Sequence, residues 1–213
     1  METTAPPRII EAKRMTLGDG AWLEYAPDFY DCASADALFK HLHRDIDWEA
    51  HASTRLGGRT FPRRIAWVGD HAYSYSGITH PPAPWRPTLL GIRSSAERFV
   101  FGESAGQFQG VLMNLYRDGN DSVGFHADDE PEIRRDTPIA SISLGQPRQF
   151  IVRHRSARNA PQRKQDVTLT LAHGSMVVMG GTLQRHWIHS VPKQPGVQGA
   201  RINLTFRQYA WTR

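Results

Sequence analysis

One stretch of the sequence decides the fold class, the heptapeptide Arg201-Ile202-Asn203-Leu204-Thr205-Phe206-Arg207. Polar and apolar residues alternate along it, so an extended chain places all the polar side chains on one face and all the apolar side chains on the other. An ordinary edge strand would show the same alternation. Two arginines that point into a barrel, however, need an anion to neutralise them, and a dicarboxylate ligand would do so. The heptapeptide therefore predicts a strand with a buried polar face.

The second half of the chain has the pattern of a mainly β protein. Segments with strand-like patterning are separated by turn residues such as Gly, Pro, Asn and Asp. Many short strands with few helices predict a sandwich, a barrel or a jelly roll. The strands are expected near residues 110–117, 139–144, 149–154, 166–172, 175–179 and 201–208.

The first half of the chain has a different pattern. Its first 20 residues, with several Pro and Gly, predict a loose arm. A helix is expected after Ser34, which has the residue type of an N-cap, and a second helix between Pro87 and Val100. The segment between the helices is rich in Gly, Pro and aromatic residues, which predicts strands and loops that project from the core. Loops of this kind often contact substrate.

The composition is that of one globular domain, or of a domain with an appended lobe. The chain has 213 residues and is 39% hydrophobic, which suffices for a core without disulfides. Cys32 is the single cysteine, so one chain can form neither a disulfide nor a thiolate metal cluster. No stretch has the pattern of a signal peptide or a membrane span. We expect a soluble, cytoplasmic monomer that does not bind a membrane.

The net charge of +5 at neutral pH favours a polyanionic partner, because Lys and Arg side chains neutralise phosphates. A solvated basic surface would have the same charge. Charge alone therefore does not identify nucleic acid as the partner.

His126 and Asp128 form a His-x-Asp step, which in an extended segment places both side chains on one side. Two imidazoles and one carboxylate on one face of an octahedron are the ligand set of non-haem iron(II) oxygenases. His43 and Asp45 show the same spacing. They lie in the first predicted helix, where residues two apart do not face each other, and we exclude them as a ligand pair.

A third ligand is expected from a distant histidine. The segment 186–192 offers two candidates, His186 and His189. The residue pattern alone leaves the choice between them open.

Six segments resemble, in their order along the chain, the motifs of the AlkB-type dioxygenases that depend on Fe(II) and 2-oxoglutarate, and a seventh segment resembles the aromatic lid motif of that family. The resemblance is strongest to the nucleic-acid repair branch and covers about half the chain, residues 109–208. The segments are Asn114-Leu115-Tyr116-Arg117-Asp118-Gly119, His126-Ala127-Asp128-Asp129-Glu130, Pro138 to Gly145, Leu171 to Ser175, His186 to Pro192, Arg201 to Arg207 and, outside that range, Tyr73-Ser74-Tyr75-Ser76-Gly77.

The resemblance implies a catalytic metal site and a co-substrate site. In the family the distal histidine precedes two arginines by fixed intervals, and His189 matches, because Arg201 and Arg207 follow it by 12 and 18 residues. His186 is then a structural neighbour of the ligand His189. His173, which lies in a tight turn of the chain, is also interpreted as structural. The implied Fe(II) ligands are His126, Asp128 and His189. The implied 2-oxoglutarate contacts are Asn114, Tyr116, Arg201, Thr205 and Arg207.

The resemblance also implies substrate contacts in the lid. Tyr75 would stack on a base opposite His126, with Tyr73 in the same motif, and Asp129 would accept a hydrogen bond from an exocyclic amine. Core packing is the alternative for the two tyrosines, and a solvated carboxylate is the alternative for Asp129. Some relatives that act on duplexes have an apolar wedge in the preceding hairpin, where Leu56 is the single apolar candidate. Phosphate contacts are expected from Arg55, Arg59, Arg63 and Arg64.

The implied architecture is a mainly β protein with flanking helices (α+β), built on a double-stranded β-helix, or jelly roll. Residues 109–213 form the catalytic core, and residues 1–108 form an N-terminal extension and nucleotide-recognition lid within the same compact unit. The implied reaction is oxidative demethylation of bases such as 1-methyladenine and 3-methylcytosine in alkylated DNA, with RNA as a second candidate polymer. It would consume 2-oxoglutarate and O2 and release formaldehyde, succinate and CO2.

Two alternatives remain at this point. One is an oxygenase of the same chemistry that acts on a protein or a small molecule. The other is a catalytically silent nucleic-acid-binding module, which would have no chemical need for the complete set of ligands and arginines.

Overall fold

A computed structural model of the chain describes residues 12–50, 52–53, 59–60, 62–75, 77–102, 106–157 and 166–210. The described elements, in chain order, are β1 Lys13–Gly18, β2 Ala21–Ala26, α1 Cys32–Asp45, β3 Ala52–Ser53, β4 Arg59–Thr60, β5 Arg64–Gly69, β6 Tyr73–Tyr75, β7 Ile78–His80, α2 Pro87–Phe101, β8 Gly110–Tyr116, β9 Val123–His126, β10 Ile139–Gly145, β11 Arg148–His154, β12 Val167–Leu171, β13 Ser175–Gly181, α3 Leu183–His186, β14 Trp187–Val191 and β15 Arg201–Arg207.

Two antiparallel sheets form the body of the protein. The major sheet has seven strands in the order β1-β2-β13-β10-β15-β8-β5, and the minor sheet has four in the order β12-β11-β14-β9. From β8 to β15 the chain crosses between the two sheets after every strand except β11, which is followed by β12 in the same sheet, as in a jelly roll. This arrangement confirms the predicted mainly β class with flanking helices. Each of the six predicted strands is present, with ends that differ by at most two residues.

The strand at residues 201–207 has the two faces that its sequence predicts. β15 lies inside the major sheet, between β8 and β10. Its apolar residues Ile202, Leu204 and Phe206 join the core that α1 and α2 cover. Its polar face therefore points to the other side of the sheet, towards the minor sheet.

Both predicted helices are present, and they pack through apolar side chains on the major sheet. Leu38 and Leu42 of α1 and Leu89 and Ile92 of α2 are buried in that core. The N-cap of α1 is not Ser34, as the sequence predicted, but Asp31, whose carboxylate accepts a hydrogen bond from the backbone amide of Ser34 at 2.8 Å. A carboxylate accepts from the free amides of the first turn as well as a hydroxyl does, so the helix begins three residues earlier.

The N-terminal half contributes more to the major sheet than its sequence indicates. Residues 13–18 form β1 rather than part of a loose arm, and β1, β2 and β5 complete the seven-stranded sheet. The predicted boundary between residues 1–108 and 109–213 therefore separates strands that belong to one sheet. Two small hairpins, β3 with β4 and β6 with β7, lie in the predicted lid. None of the described helices is long and apolar enough to cross a membrane.

Candidate metal centre and anion pocket

Three potential metal ligands meet where the minor sheet faces β15. His126 is the last residue of β9, Asp128 follows two residues later, and His189 lies in the middle of β14. β9 and β14 are paired so that His126 lies opposite His189. One ligand atom from each of the three residues lies within 4.8 Å of the other two. Cross-strand pairing and the His-x-Asp step together build this cluster.

The geometry of the cluster suits a small cation. The distances from Asp128 to the two imidazoles are 3.9 Å, from Oδ1 to His126 Nε2 and from Oδ2 to His189 Nε2. Both distances are too long for hydrogen bonds. Within the described part of the chain, the buried Asp128 Oδ2 accepts no hydrogen bond. A buried carboxylate oxygen beside two imidazole nitrogens is a site that a divalent ion such as Fe(II) would satisfy.

The hydrogen bond of His126 leaves its Nε2, the nitrogen nearest Asp128, available to bind a metal. Its Nδ1 lies 2.9 Å from the backbone carbonyl oxygen of Gly124. A carbonyl oxygen only accepts hydrogen bonds, so Nδ1 has the proton and Nε2 keeps its lone pair. A second hydrogen bond of this kind orients metal-binding histidines in general.

The protonation states also match a metal site. Burial, together with the charges of His126 and Arg207, lowers the pKa of His189 to about 3. Burial likewise lowers the pKa of His126. Burial alone would raise the pKa of Asp128, but Arg207 and the two histidines lower it to about 2. At neutral pH the cluster therefore holds two neutral imidazoles and one carboxylate, the forms that bind a metal.

An irregularity in β9 places His126 in the pocket. His126 pairs with His189 and Val123 pairs with Val191, so three steps along β9 match two steps along β14. This is the count of a β-bulge. Because of the extra residue, Val123 and His126 both line the pocket although they lie three residues apart.

The polar face of β15 forms the opposite wall of the same pocket. Arg201, Asn203, Thr205 and Arg207 all line it. The register places Asn203 between Asn114 of β8 and Ser143 of β10. Asn203 donates to Ser141 Oγ at 2.7 Å and accepts from Thr205 Oγ at 3.0 Å. The wall is thus a hydrogen-bonded polar surface that the flanking strands hold in place.

Arg201 is the strongest indication of an anionic ligand. Its side chain is 1% exposed, and its Nη2 donates to Ser143 Oγ at 2.8 Å. Its Nε and Nη1 are buried and have no hydrogen-bond acceptor among the described residues. Burial lowers its pKa to about 10. A buried guanidinium with two free donors fits the carboxylate of a ligand such as 2-oxoglutarate.

Arg207 links the polar wall to the metal cluster. Its Nη2 donates to Asp128 Oδ1 at 2.8 Å, and both side chains are almost fully buried. This contact keeps the carboxylate ionised. It also fixes the carboxylate group whose other oxygen, Oδ2, faces His189.

The other two predicted co-substrate contacts, Asn114 and Tyr116, lie on β8 and also line the pocket. The guanidinium of Arg201 lies 5.1 Å from the ring centre of Tyr116. Asn114 Oδ1 accepts a hydrogen bond from Arg63 Nε at 2.6 Å. Arg63 is 4% exposed, so its assignment to a phosphate contact at the surface is wrong. Its place in the pocket depends on the pairing of β5 with β8, for which the local sequence gives no signal.

The predicted substrate contacts differ in their environment: one is buried, one is exposed, and the side chains of the others are outside the described part of the structure. Tyr73 is fully buried and stacks on Trp67 with ring centres 4.7 Å apart, so it packs in the core and offers no ring face to a base. Asp129 is exposed, and its Oδ2 accepts from Arg155 Nη2 at 2.7 Å. Tyr75 belongs to β6, and its side chain is outside the described part of the structure. Arg55 and Leu56 also lie outside the described residues.

Two residues near Asp128 were not assigned a role from the sequence. Gln184 accepts a hydrogen bond from the backbone amide of Asp128 at 2.9 Å and so connects α3 to the metal cluster. Burial, followed by the charge of Asp128, raises the pKa of Glu130 to about 7. Glu130 lies in the motif His126 to Glu130, so the sequence alone could have indicated that it lies near the metal ligands.

The histidines set aside in the sequence lie apart from the cluster. His186 is exposed at the end of α3 and stacks on His154 with ring centres 6.4 Å apart. His173 accepts a hydrogen bond from the backbone amide of Gly145 at 2.7 Å. Both contacts are those of structural residues. His43 and Asp45 lie in α1, as predicted.

Comparison with known proteins gives a consistent result. Residues 23–207 match the family model described as the 2OG-Fe(II) oxygenase superfamily. The chain is 36% identical over 209 residues to the DNA oxidative demethylase ALKBH2 of Homo sapiens, which covers 91% of this chain and 78% of that protein. It is 37% identical over 191 residues to the human alpha-ketoglutarate-dependent dioxygenase alkB homolog 3, which covers 85% of this chain and 64% of that protein.

The fold has a counterpart among solved structures. The structure titled "The structure of OsALKBH1" superposes with a TM-score of 0.59 at 16% sequence identity, and the match covers 92% of this chain and all of the other. At that identity the similarity concerns the fold.

Proposed function

This chain belongs to the 2OG-Fe(II) oxygenase superfamily and, within it, to the AlkB-type dioxygenases, and from that premise we propose that it is a nucleic-acid repair enzyme. It removes methyl groups oxidatively from bases such as 1-methyladenine and 3-methylcytosine in DNA. The family uses Fe(II) and 2-oxoglutarate. The proposed reaction converts the N-methyl group, 2-oxoglutarate and O2 into the free base, formaldehyde, succinate and CO2.

One observation carries the proposal. The cluster of His126, Asp128 and His189 lies in the same pocket as Arg201, a buried arginine with only part of its donors hydrogen-bonded. His126, Asp128 and His189 offer a complete facial set of ligands, and Arg201 has buried donors without acceptors. Both groups line the same cavity. A site with one place for a divalent cation and one for a carboxylate fits Fe(II) together with 2-oxoglutarate.

The positions of the residues support a role for each of them in the proposed reaction. His126, Asp128 and His189 hold Fe(II). Arg201 binds the distal carboxylate of 2-oxoglutarate, with Asn114, Tyr116 and Thr205 on the same wall, and Arg207 orients Asp128. Bound Fe(II), with 2-oxoglutarate and O2, supplies the oxidising power that hydroxylates an N-methyl group, after which formaldehyde leaves. Because β15 and the minor sheet enclose the pocket, the protein excludes bulk water from this chemistry.

The substrate is an exposed or flipped base, because a base stacked inside a duplex does not reach the pocket. Tyr75 is our candidate for stacking on it, since the β6–β7 hairpin lies in the lid. Asp129 is our candidate for its amino group, which would compete with the ion pair to Arg155. Arg55 and Leu56 remain candidates for a phosphate contact and a wedge.

Two other functions are weaker candidates. An oxygenase for proteins or small molecules would have the same pocket, but the two human relatives quoted above are a DNA oxidative demethylase and an alkB homolog. A silent nucleic-acid-binding module would not need a buried, ionised Asp128 or a half-paired Arg201, both of which cost free energy without a ligand.

We further propose that the enzyme acts as a monomer inside the cell, where its nucleic-acid substrate is found. His126, Asp128, His189 and Arg201 of a single chain meet in one pocket. This supports a site that one chain can form.

The test is repair of matched single-stranded and double-stranded oligonucleotides that contain one 1-methyladenine. Purified protein is incubated with Fe(II), 2-oxoglutarate and ascorbate, and restored adenine, formaldehyde and succinate are quantified. Asp128→Ala is the inactive control. A matched RNA strand and a methylated peptide serve as competing substrates.

Restored adenine with equal amounts of formaldehyde and succinate, abolished in Asp128→Ala, supports the proposal. The ratio of single-strand to duplex repair then tests the wedge role of Leu56. Succinate release without restored base would support the oxygenase activity but reject 1-methyladenine as its substrate. If the wild-type protein released neither succinate nor restored base, the proposed enzyme activity would be rejected.

A further inference from the structure

Asp128 is the one proposed metal ligand that does not lie in a strand. His126 ends β9 and His189 lies in β14, so strand pairing fixes the backbone of both histidines. Asp128 follows β9 by two residues, in the irregular segment that joins β9 to β10. Its carboxylate is held by Arg207. Its backbone needs a separate support, because a metal site works only when each ligand keeps a precise position.

The side chain of Gln184 supplies a support for this backbone. Its Oε1 accepts a hydrogen bond from the backbone amide of Asp128 at 2.9 Å, across 56 positions of the sequence. Asp128 is 2% exposed, so bulk water does not replace the glutamine as the acceptor for this amide. The contact therefore joins the segment after β9 to the short helix α3.

A second contact fixes the orientation of the Gln184 amide. Its Nε2 donates to Sδ of Met179 in β13 at 3.6 Å, and a thioether sulfur is only an acceptor. The opposite orientation of the amide would turn its NH2 group towards the amide proton of Asp128. The oxygen therefore faces Asp128, and the side chain spans the gap between β13 and the metal ligand.

Gln184 also links Asp128 to the strand that contains His189. β14 begins directly after α3, and His189 follows Gln184 by five residues. A further tie lies beside this one, because Arg155 Nη2 donates both to the backbone carbonyl oxygen of Gln184 at 2.9 Å and to Asp129 Oδ2 at 2.7 Å. Two adjacent residues after β9 are thus connected to the helix that leads to the distal histidine.

We propose that Gln184 is a positioning residue of the iron centre, which sets the backbone of Asp128 so that its Oδ2 faces His189. This inference rests on the proposed function, since it requires that His126, Asp128 and His189 bind Fe(II). Gln184 acts through Asp128 and determines how tightly the metal is held. Loss of a group that orients a metal ligand typically lowers metal affinity by about 10- to 100-fold.

The test compares variants of α3 that keep or remove the acceptor. Gln184→Leu removes the side-chain oxygen, whereas Gln184→Glu keeps an oxygen that can accept from the amide of Asp128. Arg185→Met is the matched control, because Arg185 is the next residue of α3 and forms a partly exposed ion pair with Asp136. For each full-length variant, the Kd for Mn(II) is measured by calorimetry. Hydrogen exchange of the Asp128 amide is measured by NMR in the metal-free protein.

We expect Gln184→Leu to raise the Kd for Mn(II) by about 10- to 100-fold and to speed exchange of the Asp128 amide by about fivefold, the effect of one lost hydrogen bond. Gln184→Glu and Arg185→Met should stay near wild type in both measurements. Because the glutamate restores the acceptor oxygen, its rescue would assign the effect to the hydrogen bond and not to the packing of the side chain.

Other outcomes reject the inference in distinguishable ways. If Gln184→Leu speeds the exchange of the amide but leaves the Kd for Mn(II) unchanged, the hydrogen bond only satisfies a buried amide. If Gln184→Leu and Gln184→Glu weaken Mn(II) binding equally, the packing of α3 matters and the acceptor does not. If the wild-type protein does not bind Mn(II), the metal centre of the proposed function fails, and this inference fails with it.

Discussion

At the scale of single residues, the buried histidines make a prediction about pH. Burial holds the pKa of His189 at about 3 and lowers that of His126, so protons should compete with a metal less than they do at two histidines of ordinary pKa. Two such histidines would each weaken metal binding by about tenfold at pH 5.5. We expect the Kd for Mn(II), measured by calorimetry, to change by less than about tenfold between pH 7.5 and 5.5. A weakening near about 100-fold would show that the imidazoles titrate normally.

The same shifts have a consequence for the metal-free fold. Below about pH 6.5 the unfolded chain binds protons at histidines that stay neutral in the folded protein. The free energy of unfolding of the metal-free protein should therefore fall as the pH falls from 6.5 towards 3.

Arg201 gives a second prediction at this scale. Its buried donors without acceptors should bind a carboxylate of 2-oxoglutarate, so Arg201→Met should raise the KM for 2-oxoglutarate by about 100-fold, measured as succinate release. Ser143→Ala is the matched control, because it removes only the partner of Nη2 and should change the KM by less than about tenfold. An unchanged KM in Arg201→Met would place the co-substrate elsewhere.

Some site residues could be predicted because their type and spacing in the sequence indicate their chemistry. Residues that reach the site through pairing between strands distant in sequence could not be predicted. The alternation around Arg201 and Arg207 indicates a buried polar face because the side-chain period of a strand is fixed. The same alternation in Ser141-Ile142-Ser143 was a signal for the serines of the pocket wall. Arg63 had no such signal, since its contact with Asn114 spans 51 positions.

At the scale of elements, the two strands that hold the histidines are the ones in residues 109–213 that the sequence did not predict. β9 has only four residues, and its bulge breaks the alternation on which strand prediction depends. β14 combines a tryptophan, a histidine and a serine in five residues, so its buried polar positions hide the pattern. The ligands were found from their chemistry and from the resemblance, not from the strands that carry them.

Arg148, the first residue of β11, makes a prediction about how these elements are tied together. It is fully buried and donates to the carbonyl oxygens of Asp118, Asp121 and Pro192 at 3.0, 2.8 and 2.7 Å. It thereby joins the turn that leads to β9 with the loop that leaves β14. Arg148→Met should lower the free energy of unfolding by about 2–4 kcal/mol, because it leaves buried carbonyl groups unpaired.

Arg153→Met is the comparison, since Arg153 lies on the same strand but forms a partly exposed ion pair with Asp166. Its loss should cost less than about 1 kcal/mol. Urea denaturation measures both changes. Equal costs for the two variants would show that Arg148 is not the tie between β9 and β14.

At the scale of the whole molecule, the net charge of +5 predicts how binding of nucleic acid responds to salt. Each phosphate that the protein neutralises releases counterions, so affinity falls as salt rises. With about three phosphate contacts, affinity for a single-stranded oligonucleotide should fall by about 20-fold between 50 and 200 mM salt. Fluorescence anisotropy measures this slope. Affinity that does not depend on salt would contradict phosphate contacts by the lid arginines.

The sequence predicts the class of the whole fold better than its boundaries. Strand periodicity in residues 109–208 predicted a sandwich, a barrel or a jelly roll, and the family resemblance selected the jelly roll. The sheet that this half forms is nevertheless completed by β1, β2 and β5 from the first half. Pairings such as Arg64 with Leu115 and Leu23 with Met179 join distant parts of the chain, and local periodicity contains no information about such partners.

The central claim, that His126, Asp128 and His189 form the iron centre, is tested most directly by metal content. The protein is reconstituted with Fe(II) without oxygen, freed of unbound metal and analysed for iron per chain, as wild type, Asp128→Ala, His189→Ala and His186→Ala. We predict about one iron per chain in the wild type and in His186→Ala, and almost none in the other two variants. Iron that persists in His189→Ala, or is lost in His186→Ala, would contradict the account.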